Sequence, residues 1–284
     1  MDRWNCPALI TPISWRGEKI MKIAVFTSNQ PRHIALVEAL AEIADEVIAV
    51  IEAGSALAGR IASPNDPPTV FKNYFAKMFA AEDQVFGQPR FLPTNVQVLA
   101  LGKGELNDIA QDALRPALDA DHQIVFGASY IKGELCDRLV SAGAINLHIG
   151  ISPFYRGAAC NFWALHDRRP ELVGATIHML SKGLDSGDML FHAVPEKKDT
   201  EPFLLGMKAV EAGQNALIRA IADGTILSLP RVPQDRSQEL HYARNADFTE
   251  EVAQQYLGDA MSDKEIGAAL RGPSDYDLIL PAAI

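Results

Sequence analysis

The chain is 284 residues long and carries 26 Lys and Arg against 36 Asp and Glu, a net charge of −10. With 48% apolar and 22% charged residues it has the balance of an ordinary folded chain, which excludes disordered and collagen-like classes, and the acidic excess excludes a general binder of phosphate backbones or anionic membrane surfaces. Three cysteines without a C-x-x-C pair fit a reducing, cytoplasmic setting rather than a disulfide framework, and no apolar run approaches the roughly 20 residues of a membrane span.

At roughly 150 residues per domain, the length fits one large domain or one domain with an appendage. Residues 1–20 hold a short apolar stretch broken by Pro7 and Pro12, and they are expected to be an unstructured leader or an upstream start. The first element follows Met21. Residues 22–27 read as a strand that ends in turn chemistry at Ser28 to Pro31. Ile34, Val37, Leu40 and Ala41 then recur at helical spacing, and residues 46–51 form the next strand. A β-α-β opening predicts a parallel, doubly wound α/β sheet, because parallel neighbours need a crossover helix.

Residues 53–95 interrupt the alternation. A Pro-rich loop at 63–68 precedes an aromatic-rich stretch at 69–86, read either as an inserted helix packing on the sheet or as a cover over a substrate. The alternation resumes with a strand at 96–101, a helix at 106–118, a strand at 123–126, a helix at 133–142 and a strand at 144–148. A helix at 159–167, strands at 174–180 and 189–194, and a long helix at 202–222 follow. Thr200 signals the start of that long helix, with Pro202 in its first turn. The composition shifts after residue 229, where 249–258 is a polar helix candidate. The expected organisation is a leader (1–20), a catalytic domain (21–229) and a C-terminal extension (230–284).

The chemistry concentrates in two stretches. Asn146 and His148 lie two apart at the carboxyl end of a buried strand, so their side chains share one face of the sheet. Polar groups at that edge face the crevice where such folds bind ligands. Downstream, 174–187 runs from a β-rich segment into a tight loop that presents Asp185. An amide, an imidazole and a carboxylate suit acyl transfer to an amine: the amide donates to a developing oxyanion, the imidazole moves charge, and the carboxylate orients the imidazole or takes the amine proton. Each also has a plainer reading, Asn146 and His148 as a satisfied strand-end pair and Asp185 as a turn residue.

In combination, N-L-H-x4-P-x-Y-R-G at 146–157 and G-A-T-x-H-x4-G-L-D-S-G at 174–187 resemble the 10-formyltetrahydrofolate-dependent formyltransferases. The resemblance spans residues 21–224. It implies a Rossmann-like, mostly parallel sheet with helices on both faces, a folate one-carbon donor, and Asn146, His148 and Asp185 as the catalytic trio. It also implies a folate pocket lined by Phe126, Gly127, Ser129, Tyr130 and Ile131, with Lys182, Gly183 and Leu184 wrapping the pterin. This chain departs from the family's common N-x-H-P-S-L-L-P by reading Ile149-Gly150 after the histidine. It lacks the Gly-rich first turn of the phosphoribosylglycinamide enzymes, and its residues 230–284 are short for the C-terminal barrel of the methionyl-tRNA enzymes.

The expected activity is N-formyl transfer from 10-formyltetrahydrofolate to a primary amine of a small molecule, with no metal, no membrane and no nucleic-acid partner. The alternatives are a 10-formyltetrahydrofolate hydrolase, a methionyl-tRNA formyltransferase and a non-catalytic folate-binding paralogue. Arg156 is weighed as a contact for an anionic substrate group against a structural role, and Tyr155 and Asn161 are the other acceptor-side candidates. Tyr130 lines the pocket or sits in the core. His166, His178 and His192 are read as packing or surface histidines, and Cys160 as a small apolar packing residue. The C-terminal extension is expected to pack on the core or serve a homo-oligomer interface.

Overall fold

The computed structural model describes residues 20–54 and 66–280. The expected leader, Ile20 apart, and the start of the 63–68 loop lie outside the described residues. The strands are β1 (Lys22–Ser28), β2 (Glu46–Ala53), β3 (Val96–Gly102), β4 (His122–Val125), β5 (Ile145–His148), β6 (Tyr155–Gly157), β7 (Ala175–Met179), β8 (Met189–Ala193) and β9 (His241–Ala243). Seven of them form one sheet in the order β3-β2-β1-β4-β5-β7-β8. The first five are parallel, and β7 and β8 each run antiparallel to the strand before them in the sheet. β6 and β9 pair separately.

Alternation along the strands explains the two layers. On β1, Ile23 and Val25 point to one core with Leu36, Val37 and Leu40, while Ala24 and Phe26 point to the other with Leu114, Leu135 and Leu139. The first face carries α1 (Pro31–Ile43), α2 (Thr69–Phe86) and later α6 (Pro202–Ala222); the second carries α3 (Arg115–Leu118) and α4 (Gly133–Ala142). The α/β architecture is the one expected. The strand order reverses at β1, so the carboxyl ends of β1, β4 and β5 open a crevice at a topological switch point. No helix among the described residues is long and apolar enough to cross a membrane.

Three local expectations need correction. The helix expected at 106–118 is a 3-10 turn at Glu105–Asn107 followed only by α3, because Pro116 has no N–H to donate and its ring disfavours helix on its N-terminal side. The N-cap of α6 is Glu201, not Thr200: the Glu201 carboxylate accepts from Leu204 N at 2.8 Å, while the Thr200 hydroxyl donates to Lys198 O. Beyond α5 (Cys160–His166) and α7 (Glu250–Asp259), an unforeseen α8 (Asp263–Arg271) begins at a capping box between Ser262 and Glu265.

The segment after residue 229 packs on the core. Val232 exchanges two backbone hydrogen bonds with Met189 on β8, while Ile279 O accepts from His192 N and Ile279 N donates to the His192 ring at Nδ1. α2 packs on α6 and α7, with Tyr74 in edge contact with Phe203 and Tyr256.

Two glycines of α6 make the close helix–sheet packing testable. A Cβ built on Gly213 would sit 2.6 Å from the Ala175 side chain and 3.0 Å from Leu147, whereas one on Gly206 meets no atom within 4 Å. Gly213→Ala is expected to destabilise the fold by about 1–3 kcal/mol through overpacking, and Gly206→Ala to stabilise it by roughly 0.5–1 kcal/mol through helix propensity. Urea denaturation of both variants checks the opposite signs.

Candidate active site

β5 and β7 build the floor of the site. Their antiparallel register sets Asn146 opposite His178 and His148 opposite Thr176, so four polar side chains share one face. The Thr176 hydroxyl accepts from Ser152 N at 2.9 Å and donates to Gly150 O at 2.6 Å, which pins the loop leaving His148. His178 donates from Nδ1 to Met179 O at 2.9 Å, so its Nε2 is the acceptor for the Asn146 amide at 3.0 Å. Burial, with the neighbouring His148 ring second, pushes the His178 pKa down to about 4, and the ring is neutral.

Asp185 completes the cluster. Its Oδ1 accepts from Asn146 Nδ2 at 3.2 Å and its Oδ2 lies 3.5 Å from His148 Nδ1. Both hydrogens of the Asn146 amide are therefore engaged, one on His178 and one on Asp185. On the other side of the His148 ring, Nε2 lies 3.5 Å from the Cys160 thiol. Burial, reinforced by the Asp185 charge, pushes that thiol far up, so Cys160 is protonated and no nucleophile.

Asp185 adopts φ 44°, in the left-handed region that costs a residue with a Cβ about 1 kcal/mol or more. Three contacts hold it there. Arg156 donates to Leu184 O at 2.8 Å, and Gln234 donates to Asp185 O and Gly187 O at 2.9 and 2.8 Å. Gly187 sits so close to Met179 O that any Cβ would overlap it.

The cluster lies in a cleft of about 320 Å³. One wall is the segment after β4, from Phe126 through Gly127, Ser129 and Tyr130 to Ile131, and the other is the loop with Gly183 and Leu184. The Tyr130 hydroxyl crosses between them to donate to Lys182 O at 2.8 Å. Glu52, buried at the end of β2, holds the first wall by accepting from Ser129 N at 2.6 Å and Gly104 N at 2.8 Å. Gly127 turns the chain at φ 70°, where a Cβ would run into the His33 ring.

Three expected site residues, Arg156, Tyr155 and Lys182, are placed differently. Arg156 is buried and balanced by Glu239 at 2.9 Å, so it braces the Asp185 loop and is not a cleft cation for a substrate anion. Tyr155 is core: its hydroxyl donates to Asp167 at 3.1 Å and its ring stacks on His241. Lys182 contributes its carbonyl, while its exposed ammonium pairs with Asp137 at 2.6 Å. Asn161 accepts from Gly174 N at 3.1 Å and lines a second, smaller cavity. Sequence reasoning overlooked His178, Thr176 and Glu52. The signal for the first two was present: polar residues two apart in an apolar strand, as at Asn146 and His148.

The Formyl transferase family profile matches residues 21–221. The chain belongs to that family. Among curated relatives, a methionyl-tRNA formyltransferase of Anaeromyxobacter sp. (strain K) is 34% identical over 44% of this chain and 40% of its own length, and one of Anaeromyxobacter dehalogenans is 29% identical over 67% and 58%. The matches to these relatives thus span about half of their length or a little more or less. Among solved structures, a 4-N formyltransferase from Francisella tularensis matches at TM-score 0.51 with 17% identity over 80% of this chain and 78% of that one. A sugar N-formyltransferase from a Shewanella species matches at 0.50 with 14% identity over 91% of each. At these identities the formyl transferase structures share the fold.

The neutral histidines carry a pH dependence with a definite sign. Burial lowers the folded-state pKa of His178, and of His192 as well, below the ordinary imidazole value. The unfolded chain therefore binds more protons than the native one below about pH 6.5, and stability is lost as pH falls from there towards 4. Denaturation curves at pH 7, 6 and 5 should show it, and His178→Gln should remove up to about one proton from the slope.

Proposed function

We propose that this protein transfers the formyl group of 10-formyltetrahydrofolate to the primary amine of a small molecule. The observation that carries the reading is the Asn146–His148–Asp185 cluster at the floor of a cleft with backbone-rich walls. The donor's fused ring suits the cleft between the 126–131 wall, with Phe126, Tyr130 and Ile131, and the loop with Gly183 and Leu184. Family membership supports formyl transfer as the reaction class.

The amine nitrogen attacks the formyl carbon, a new C–N bond forms, and the oxygen takes up negative charge. Asp185 accepts the proton that the amine loses. Once protonated it is a poorer acceptor, which releases the Asn146 hydrogen now spent on Oδ1 at 3.2 Å and lets it donate to the oxyanion. His148, held between Asp185 and Cys160, takes that proton from Asp185 at Nδ1 and gives up one to the departing folate nitrogen as the old C–N bond breaks, which returns Asp185 to the carboxylate. His178 keeps the amide facing this way throughout.

A small acceptor is favoured over tRNA by the charge of −10. Binding of 5-formyltetrahydrofolate, a stable isomer of the donor, is expected by calorimetry. An amine panel that includes initiator methionyl-tRNA should give formylated product from small amines. Asp185→Asn should lower turnover by about 10²–10⁴ and Asn146→Ala by about 10²–10³, with circular dichroism unchanged. Formate release without any formylated amine would make the protein a hydrolase instead. Productive formylation of the tRNA at near-physiological salt would overturn the small acceptor.

A further inference from the structure

A second cavity of about 150 Å³ adjoins the cleft, and Arg32 and Ile149 line both. Cys160, which lines the second cavity, touches His148 Nε2, so this space begins one side chain from the reacting centre. Its walls come from α2, α5, α6 and α7. Four aromatic rings cluster there: Tyr74 meets Phe162, Phe203 and Tyr256 edge-on, Phe203 meets Tyr256 edge-on, and Phe162 is tilted against Tyr256, with centroids 4.8–6.1 Å apart.

The polar inventory of the cavity is small. Its one cation among the described residues, Arg32, is matched by buried Glu82 at 2.6 Å. Asn161 is more than nine-tenths buried; its oxygen is fixed by Gly174 N, and its Nδ2 has no hydrogen-bond partner. A buried N–H without an acceptor is costly, and a ligand that supplies one recovers that cost. Gly206 on α6 keeps the space open.

We infer that this cavity seats the body of the acceptor, and that the acceptor is an uncharged single-ring amine bearing one hydrogen-bond acceptor for Asn161. The inference rests on the transfer reading above. The volume equals that of a protein cavity known to take one benzene ring. A nucleoside diphosphate is excluded from this space by size and by the absence of an unbalanced cation. A second ammonium would find no free carboxylate. The primary amine reaches from the ring past Cys160 and Ile149 towards His148.

Two measurements separate this inference from the transfer reading. In the first, benzyl alcohol, a ring that cannot be formylated on nitrogen, is titrated into the wild type and Gly206→Leu with thermal unfolding as readout. The introduced isobutyl side chain fills the cavity from a helix that gains propensity, so the variant folds. Stabilisation of the wild type alone is expected. In the second, formyl transfer to benzylamine and furfurylamine is compared with transfer to a nucleotide-linked amino sugar. The ring amines should be preferred, and Gly206→Leu should raise their KM about a hundredfold, the loss expected when the burial of one ring is forfeited, with a smaller change in kcat. Preference for the nucleotide sugar with equal KM in both proteins would overturn the ring site and leave formyl transfer standing. Ring binding lost in Gly206→Leu, with no amine formylated, would support the ring site and overturn the transfer reading.

Discussion

A carboxylate placed on left-handed backbone needs outside support, and the site depends on Asp185 receiving it. Its φ of 44° turns the side chain back towards β5, where one oxygen meets Asn146 and the other faces His148. The support comes largely from far along the chain. Gln234 grips the carbonyls on both sides of the turn, and Glu239 neutralises the Arg156 guanidinium that holds Leu184 O. Val232 ties the same segment to β8. The C-terminal segment is thus a structural part of the Asp185 loop, and the pairing of β9 with β6 fixes the Arg156 backbone as well.

Around that carboxylate the proton inventory is constrained by burial. His178 on β7 and Cys160 on α5 are both buried, and desolvation penalises their charged forms in opposite directions of pKa: the imidazole goes down, the thiol up. Each is neutral as a result. The Asp185 carboxyl group thus meets the Asn146 amide and comes within 4.0 Å of the neutral His178 ring. His178 then has a single task that no charged residue could do as well. Its Nδ1 hydrogen is committed to Met179 O, so its Nε2 must accept, and this orients the Asn146 amide with both hydrogens towards the cluster.

Much of this was legible in the residues, and the remainder was hidden for physical reasons. Strong apolar runs bounded by turn chemistry located the strands of the sheet, and the two motif stretches brought out Asn146, His148 and Asp185. The 106–118 segment looked helical by spacing, but Pro116 overrode the pattern. β6 and β9 are three residues each, too short for periodicity, and exist because the tail docks. Arg156 and Tyr155 stand in the same motif as Asn146 and His148, yet their side chains are spent on Glu239, Leu184 O and Asp167. Type and position in a motif do not reveal whether a cation is already balanced; that is decided by a partner 83 residues away. Glu52 was hidden likewise, since its role depends on Ser129 N and Gly104 N arriving from two other loops.

The Ile149-Gly150 pair ties these strands of argument together. A Cβ at Gly150 would overlap the Cys160 side chain and come within 2.7 Å of His148 Nε2. Glycine there lets α5 close on the His148 ring, which brings a neutral thiol to the side of His148 opposite Asp185. Ile149, one residue earlier, stands between the two cavities with its side against both. The same two residues that depart from the common family pattern therefore shape the passage from the polar cleft to the aromatic cavity. Because Thr176 holds Gly150 O and Ser152 N in place, that passage is set by the sheet and not by a free loop. The Asn146–His148–Asp185 cluster thus rests on β5 and the loop after β7, while the adjoining cavity is walled by helices, and Ile149 is where the two meet.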